Sequence, residues 1–407
     1  MPSLVETVAP ARLGRSFRWL MSSSWLSNLG DGIGLAAGPL LVASQTDDPG
    51  LVALALLLQQ LPWLVFGLLA GAVADRLDRR ALSVLVNLLR AGVLVLLAMA
   101  VLTGTATIGL VLLALFLHGT AEVFADTAAT TLLPSLIQRD DLAIGNARIQ
   151  FGFLTMNQLA GPPIGAAMFA LGHAFPFIGQ AVLVGVGAML VSRIVLPAAD
   201  PQPRGHVRRD IAEGFRWVLH HAAVRTLILT IFTFNITFGA AWSVLVLYAR
   251  DRLGLGPVGY GLLTTISAIG GVLGGLAYGW ITRRVSLGNI MRIGLIIETL
   301  THLGLALTTI PAVAMVIFFV FGAHAFIWGT TSSAVRQRAV PNALQGRVSS
   351  VNAVGVFGGI VVGAGLGGLI ARQWGVTGPF WFAFVGSAVF VVLIWKQLAH
   401  IAHEDVA

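Results

Sequence analysis

From about residue 18 to about residue 399 the chain is cut into runs of roughly twenty mostly apolar residues, separated by short turns. A helix of about twenty apolar residues crosses a hydrocarbon core of about 30 Å. Because lipid cannot pair an exposed amide, repeated runs of this length leave few solutions besides a bundle of membrane-crossing helices. Composition closes the soluble alternative: 57% of residues are hydrophobic and 10% charged, against about 25% charged in ordinary soluble domains. The runs predict an all-α, polytopic membrane protein with helices 1 to 12 at 18–44, 50–73, 81–103, 107–132, 147–171, 175–196, 224–249, 259–282, 287–309, 312–334, 348–371 and 378–399. Breaks such as Asp47-Asp48-Pro49-Gly50, Thr103-Gly104-Thr105 and Gly172-His173 carry turn chemistry.

Lysine and arginine favour the cytoplasmic side of short loops. With the N-terminus inside, 22 of the 25 basic residues fall on inner segments or flanks, Arg90 counted among them, and only Arg250, Arg252 and Arg372 fall outside. The expectation is a multi-pass plasma-membrane protein with both termini cytoplasmic and no cleaved signal. The net charge of +8 then faces anionic lipid, and with no compact basic patch no nucleic-acid partner is expected. No cysteine is present, so there is no disulfide or thiolate site.

The longest connection, 197–223, contains Pro197, Pro201 and Pro203 and then an amphipathic run from Asp210 to His221 suited to a membrane surface. It separates a six-helix bundle at 1–196 from a second at 224–407. Repetition supports this: Gly71 to Arg76 recurs 208 residues later as Gly279 to Arg284, His118 206 residues later as His324, and Asn28 207 residues later as Asn235.

Gly71-Ala-Val-Ala-Asp75-Arg76-Leu-Asp78-Arg79-Arg80 resembles the loop signature G-x-x-x-D-R-x-G-R-R of the major facilitator superfamily, with Asp78 in place of glycine. Gly161-Pro162-Pro163-Ile164-Gly165-Ala166 resembles the core of a helix 5 motif of proton-coupled exporters. Asn28 to Gly32 and the stretch from Leu133 to Ala147 are similar to the macrolide and enterobactin exporter subgroup. The resemblance covers nearly the whole chain. It implies two pseudo-symmetric six-helix bundles, a central cavity lined by helices 1, 4, 7 and 10, and a conformational latch at Gly71, Asp75, Arg76 and Arg80. The helix 4 arginine of related drug antiporters is absent from Leu117-His118-Gly119-Thr120.

Small residues every four positions let helix backbones approach closely in lipid. Such stripes occur at Gly355, Gly359, Gly363 and Gly367 of helix 11, Gly271 and Gly275 of helix 8, and Gly161, Pro162 and Gly165 of helix 5. In the resembled fold these helices lie between the halves, so a rocking interface is expected, with static packing or a homodimer seam as the alternative. Gly363 to Gly368 also fits G-x-G-x-x-G, but lies inside a spanning helix without a preceding strand. Lys396 is the sole lysine, which excludes a Walker A loop, and no hydrolase signature occurs. No enzyme and no cofactor or metal are expected.

Ionisable groups within the bilayer are costly and usually functional. Asp31 lies about 20 Å along helix 1 and His118 about 16 Å into helix 4, where a carboxylate and an imidazole can exchange a proton. Glu122, one turn from His118, is a second proton-site candidate. Asp126 is expected to pair structurally with Arg148. Glu298 and His302 on helix 9 are secondary candidates, with contact to helix 10 favoured over coupling. Asn28, Phe116, Phe124, Phe234, Asn235, Phe238, Trp242, His324, Phe326 and Trp328 would line an aromatic cavity suited to a bulky amphipathic molecule. The combined expectation is a monomeric, proton-coupled exporter working by alternating access, in contact with lipid and a small-molecule substrate. An importer of a small metabolite and a non-transporting receptor or scaffold are the alternatives.

Overall fold

The computed structural model describes residues 11–74, 76–196 and 207–398. Asp75, the central segment 197–206 and both chain ends lie outside the described residues. The described chain is helical throughout, as expected. Ten helices have the length and apolarity to cross a membrane. The shorter apolar helix Gly378–Ile394 and a helix 5 built from three consecutive segments bring the spans among the described residues to twelve.

Helices 1 to 4 run Gly14–Ala43, Pro49–Ala74, Arg79–Leu102 and Ile108–Leu136. Helix 5 comprises Leu142–Gly152, a π-helical stretch Phe153–Ala160, and Gly161–Leu171; helix 6 is Phe175–Ser192. Helix 7, Ala222–Trp242, is followed by Leu245–Leu247 and a π turn Tyr248–Arg252. Helices 8 to 12 are Pro257–Thr282, Leu287–Leu307, Pro311–Ala339, Gln345–Trp374 and Gly378–Ile394.

Local chemistry sets several boundaries. Asp78, the departure from the loop signature, is the N-cap of helix 3, its carboxylate accepting from the amides of Arg80 and Ala81. Ser286 caps helix 9 in the same way, and prolines open helices 8, 10 and 12 where a missing amide proton costs nothing. In helix 5, Pro162 and Pro163 remove two amide donors. The preceding turns widen to a π register in which the Gly161 amide reaches the Met156 carbonyl.

The chain divides into two compact units, 1–41 with 65–204 and 42–64 with 205–407, so helix 2 is shared between them. In the first unit helix 3 packs against helices 4 and 6. Phe17, Leu20, Leu132, Leu133, Val191 and Ile194 form its principal apolar core. In the second, helix 7 packs on helix 11, helix 8 on helix 10, and helix 9 on helices 10 and 12 around Leu227, Phe234, Met291 and Leu295. The amphipathic segment forms a helix, Val207–His220, that docks Val218 and Trp217 beside Val224, Ile228, Val348 and Val351, with Glu213 2.8 Å from Arg347. One side therefore rests on protein, while Phe215 and Leu219 stay exposed.

The glycine stripes correct an expectation. Gly355, Gly359, Gly363 and Gly367 face helix 7 of the same unit, where a β-carbon at Gly363 or Gly367 would meet the backbone of Ile236 or Ala240. Gly161 and Gly165 face Gly32 and Ile33 of helix 1, again within one unit, and Pro162 is buried beside them. Gly271 and Gly275 face Gly322 and Phe326 of helix 10. Each stripe thus packs on a helix of its own unit, which makes it close packing within a bundle. The residues of helix 11 that meet helix 2 are instead Gly358 on Leu64, Gly365 on Leu57 and Gly368 on Ala53 and Gly50, beside a Trp63–Phe357 stack with centroids 5.5 Å apart. Asp48 and Arg372 close that contact with an ion pair at 2.5 Å, and Asp47 pairs with Arg250 at 2.8 Å.

Candidate functional site

Four helices of the first unit bring polar groups to one buried point. Asp31 of helix 1 is 6% exposed and Arg90 of helix 3 is fully buried; Nη2 of Arg90 donates to Oδ1 of Asp31. The other arm is held by Asn87, whose Oδ1 accepts from Arg90 Nη1 at 3.0 Å while its amide donates to the Ser83 carbonyl. From helix 4, His118 Nε2 lies 3.6 Å from Asp31 Oδ1 and 3.9 Å from Glu122 Oε2. Gln180 of helix 6 completes the group, its Nε2 3.1 Å from His118 Nε2 and 3.5 Å from Asp31 Oδ1.

Glycines make room for this arrangement. A β-carbon on Gly34 would sit 2.8 Å from the Gln180 amide, and one on Gly30 3.3 Å from its Cγ. The two residues flank Asp31 at i−1 and i+3, so helix 1 is bare where helix 6 must approach.

Asp31, His118 and Glu122 therefore converge as the sequence predicts. Asp126, expected beside Arg148, lies instead in the electrostatic field of Asp31 and Arg90, while the Arg148 carbonyl accepts from the Trp25 indole at 3.1 Å. Arg90 pairs with Asp31, Glu122 is reached through His118, and Asp126 comes one turn after Glu122 on helix 4. In a medium that penalises net charge, the charge state of the group depends on how many protons the two unmatched acids carry.

The remaining candidates scatter. Asn28 and Asn235 donate to the carbonyls of Ser24 and Ile231, four residues back on their own helices. Phe234 is a core residue packed on Phe390, which corrects its assignment to a cavity. Phe116 and Phe124 flank Phe66. Phe238 and Trp242 stack together with Phe321, and Phe326 covers Gly275. His324 is also buried, 3.6 Å from Glu298, and Trp328 packs on the core. At the loop signature Arg80 donates to the Ile194 carbonyl at 2.9 Å, Arg76 is exposed and Gly71 borders open space. Asp75, the centre of the expected latch, lies outside the described residues.

Arg90 and Gln180 escaped sequence reasoning. Arg90 was sorted with the inner basic flanks, yet it lies eleven residues into helix 3, about 16 Å from its start. The signal was available, since the residue interrupts Val84-Leu85-Val86-Asn87-Leu88-Leu89 and Val93-Leu94-Val95. Arg90 supplies from helix 3 the buried cation that helix 4 lacks.

Asp31, His118 and Glu122 present donor atoms all within 4.8 Å of one another, a spacing that suits a metal ion. The Arg90 guanidinium already occupies the Asp31 carboxylate, and a fixed cation at that point opposes a second one. The donor set fits a proton site better than a metal site.

Twelve spans, an internal repeat and a buried charge cluster in each repeat are the features of a secondary transporter. Solved structures carry the same fold: a mutant of the nucleoside transporter NupG superposes with a TM-score of 0.78 at 13% identity, covering 94% of this chain and 99% of that one. A bacterial homologue of the iron transporter ferroportin, in an inward-facing state, gives 0.76 at 14% identity, covering 94% and 98%. A family model of transmembrane secretion effectors matches residues 5–406, and the chain belongs to this family of the major facilitator superfamily. Among its relatives, the multidrug efflux pump Tap of Mycolicibacterium fortuitum is 29% identical over 93% of this chain and 92% of its own. Macrolide efflux protein A of Streptococcus pyogenes is 22% identical over 87% and 88%. The protein is a multi-pass membrane transporter and not an enzyme.

Proposed function

We propose that this transporter exports hydrophobic or amphipathic small molecules by alternating access, driven by protons that exchange at the Asp31–Arg90–His118–Glu122 group. The observation that carries the reading is the excess of acid over base at a desolvated point crossed by four helices. Arg90 balances Asp31, and the two remaining charges are removed by one proton arriving on Glu122 or His118 and a second on Asp126. The protonated group is nearly neutral and tolerates burial while the bundles exchange access; loss of the proton restores a net negative group that favours contact with water. His118 stands between Asp31 and Glu122 and can pass a proton either way.

The direction and the substrate class follow the relatives, whose names record efflux of multiple drugs and of macrolides, and the stacked Phe238, Trp242 and Phe321 offer an apolar aromatic surface. In this reading the proton is the coupling ion, no cofactor is needed, the working unit is a monomer in the plasma membrane with both termini cytoplasmic, and Asp75 with Arg76 and Arg80 acts as a latch. The test is reconstitution into vesicles with an internal pH indicator and a fluorescent amphipathic dye as probe. Dye extrusion accompanied by proton counter-flux is the expected result, and dye movement with no proton flux would overturn the reading.

A further inference from the structure

A second buried ionisable group lies in the other unit. Glu298 of helix 9 and His324 of helix 10 are 3.6 Å apart, their side chains 12% and 3% exposed. Gly294, one turn before Glu298, is bare where the His324 ring rests; a β-carbon there would sit 3.0 Å from His324 Nδ1 and 2.6 Å from the Trp328 ring. One turn after Glu298 comes His302, wholly buried and edge-on to Trp242 with centroids 6.2 Å apart. Gly294, Glu298 and His302 therefore form one stripe of helix 9 turned toward helix 10 and the aromatic cluster.

The polar atoms of this stripe are left open. Both ring nitrogens of His302, Nδ1 of His324 and Nε1 of Trp328 are buried without a hydrogen-bond partner. Buried polar atoms are nearly always paired, and an exception calls for a function. Static architecture does not explain it: a leucine at 302 would fill a similar volume without leaving two ring nitrogens unpaired.

Among the described residues no fixed charge is bonded to the pair. Helix 12 carries no titratable residue, and helix 7 carries only Arg225 near its start. On helix 10 the cations Arg336 and Arg338 begin twelve residues past His324, about 18 Å along the axis. On helix 9 Arg292 is turned to the Trp395 carbonyl, and at the far end Tyr248 and Arg252 bond the carbonyls of Leu305 to Thr308. Tyr278 of helix 8 lies by Thr331. The pair thus has no equivalent of Arg90, and its charge is balanced only by the proton it holds.

We propose that Glu298 and His324 form a second proton-binding site. With the proton bound, the pair is a carboxylate facing an imidazolium and is neutral overall; on release it becomes a carboxylate beside a neutral imidazole. The proton moves between Glu298 Oε2 and His324 Nε2, with no bond formed or broken other than to hydrogen. The role of this site in transport rests on the proton-coupled reading above, and exchange would then carry protons in both repeats, not in the first alone.

The ligand is the proton itself, so no substrate is needed for the test. The full chain in lipid nanodiscs is titrated from about pH 9 to about pH 5, and the protons taken up per molecule are counted with an indicator dye. The double change Glu298→Gln with His324→Gln is expected to take up one proton fewer than the wild type, and Glu298→Asp to keep the wild-type count. Should the double glutamine change fail to fold, Glu298→Leu with His324→Leu reads the same quantity. An unchanged count in the double variant would overturn the second site even where Asp31→Asn abolishes gradient-driven transport. Dye movement without proton flux in the wild type would overturn the coupling reading and leave the count standing.

Discussion

The two units hold buried ionisable groups built on opposite plans. In the first, Arg90 is a permanent cation that pairs with Asp31 and is held by Asn87, with His118 and Gln180 beside them and Arg90 Nε and His118 Nδ1 left without a hydrogen bond. In the second, Glu298 faces only His324, with His302 unpaired one turn away. The sequence repeat pairs His118 with His324, so the helix 4 and helix 10 positions correspond while their surroundings have diverged. A group with a fixed counter-charge resists removal of either partner and titrates through its surplus acids. A group without one has its whole charge state set by protons. The same fold therefore yields one stiff site and one adjustable site.

The largest effect is expected where that stiffness is broken. Arg90→Ala leaves Asp31 buried without its cation, and loss of one partner of a buried pair costs about 3–5 kcal/mol. Thermal unfolding in detergent should show a large loss for Arg90→Ala and a markedly smaller one for the double change Arg90→Leu with Asp31→Leu. Equal losses would mean that the ion pair is incidental to packing. Next comes the close approach of helices 7 and 11. Gly363→Leu drives a side chain into the backbone of Ile236 and Ala240, and overpacking of this kind costs about 1–3 kcal/mol or more. Gly71→Ala, which meets nothing within 4 Å, should leave the melting temperature unchanged.

A middling effect is expected at the glycine cradle. Gly34→Ala should displace Gln180 and shift the pH profile of transport while leaving expression near wild type, because the flexible amide can move where a backbone cannot. The smallest effect belongs to the exposed Asp48–Arg372 pair. The hydrogen bond from Arg372 holds the Asp48 carboxyl below its ordinary value of 3.8. A carboxyl lowered in the folded state contributes stability above the ordinary value and loses it only as pH falls through the lower folded value. Asp48→Asn should thus alter the melting temperature slightly at neutral pH, and the difference should persist down to about pH 4 and fade below it.

The helices were legible because span length and apolarity are one-dimensional properties, readable without knowing any neighbour. Asp31, His118 and Glu122 were legible for a similar reason: an ionisable group in an apolar run has few harmless explanations. Arg90 satisfied that criterion too, but a rule that reads arginine as a marker of topology absorbed it. Glycine spacing showed that helices 5, 8 and 11 pack closely on something, yet period four says nothing of which helix is the partner. The partner is set by three-dimensional packing, and within each unit it turned out to be a neighbour of the same bundle. Phe234 was indistinguishable from Phe238 by type and helix, since the two lie one turn apart on nearly the same face and only their neighbours differ, Phe390 at one level and Phe321 with Trp242 at the other. The Glu298–His324 pair joins residues 26 apart on two helices: the i, i+4 spacing of Glu298 and His302 pointed to a contact with helix 10, but not to the residue that meets it.

The central claim is that the acids around Arg90 carry the coupling proton. Its most direct test compares wild type, Asp31→Asn and Glu122→Gln in proteoliposomes, measuring dye transport driven by a pH gradient beside dye counterflow with no gradient. The account predicts that gradient-driven transport is lost in at least one variant while counterflow survives, which separates coupling from binding and folding. Gradient-driven transport at the wild-type rate in both variants would contradict it.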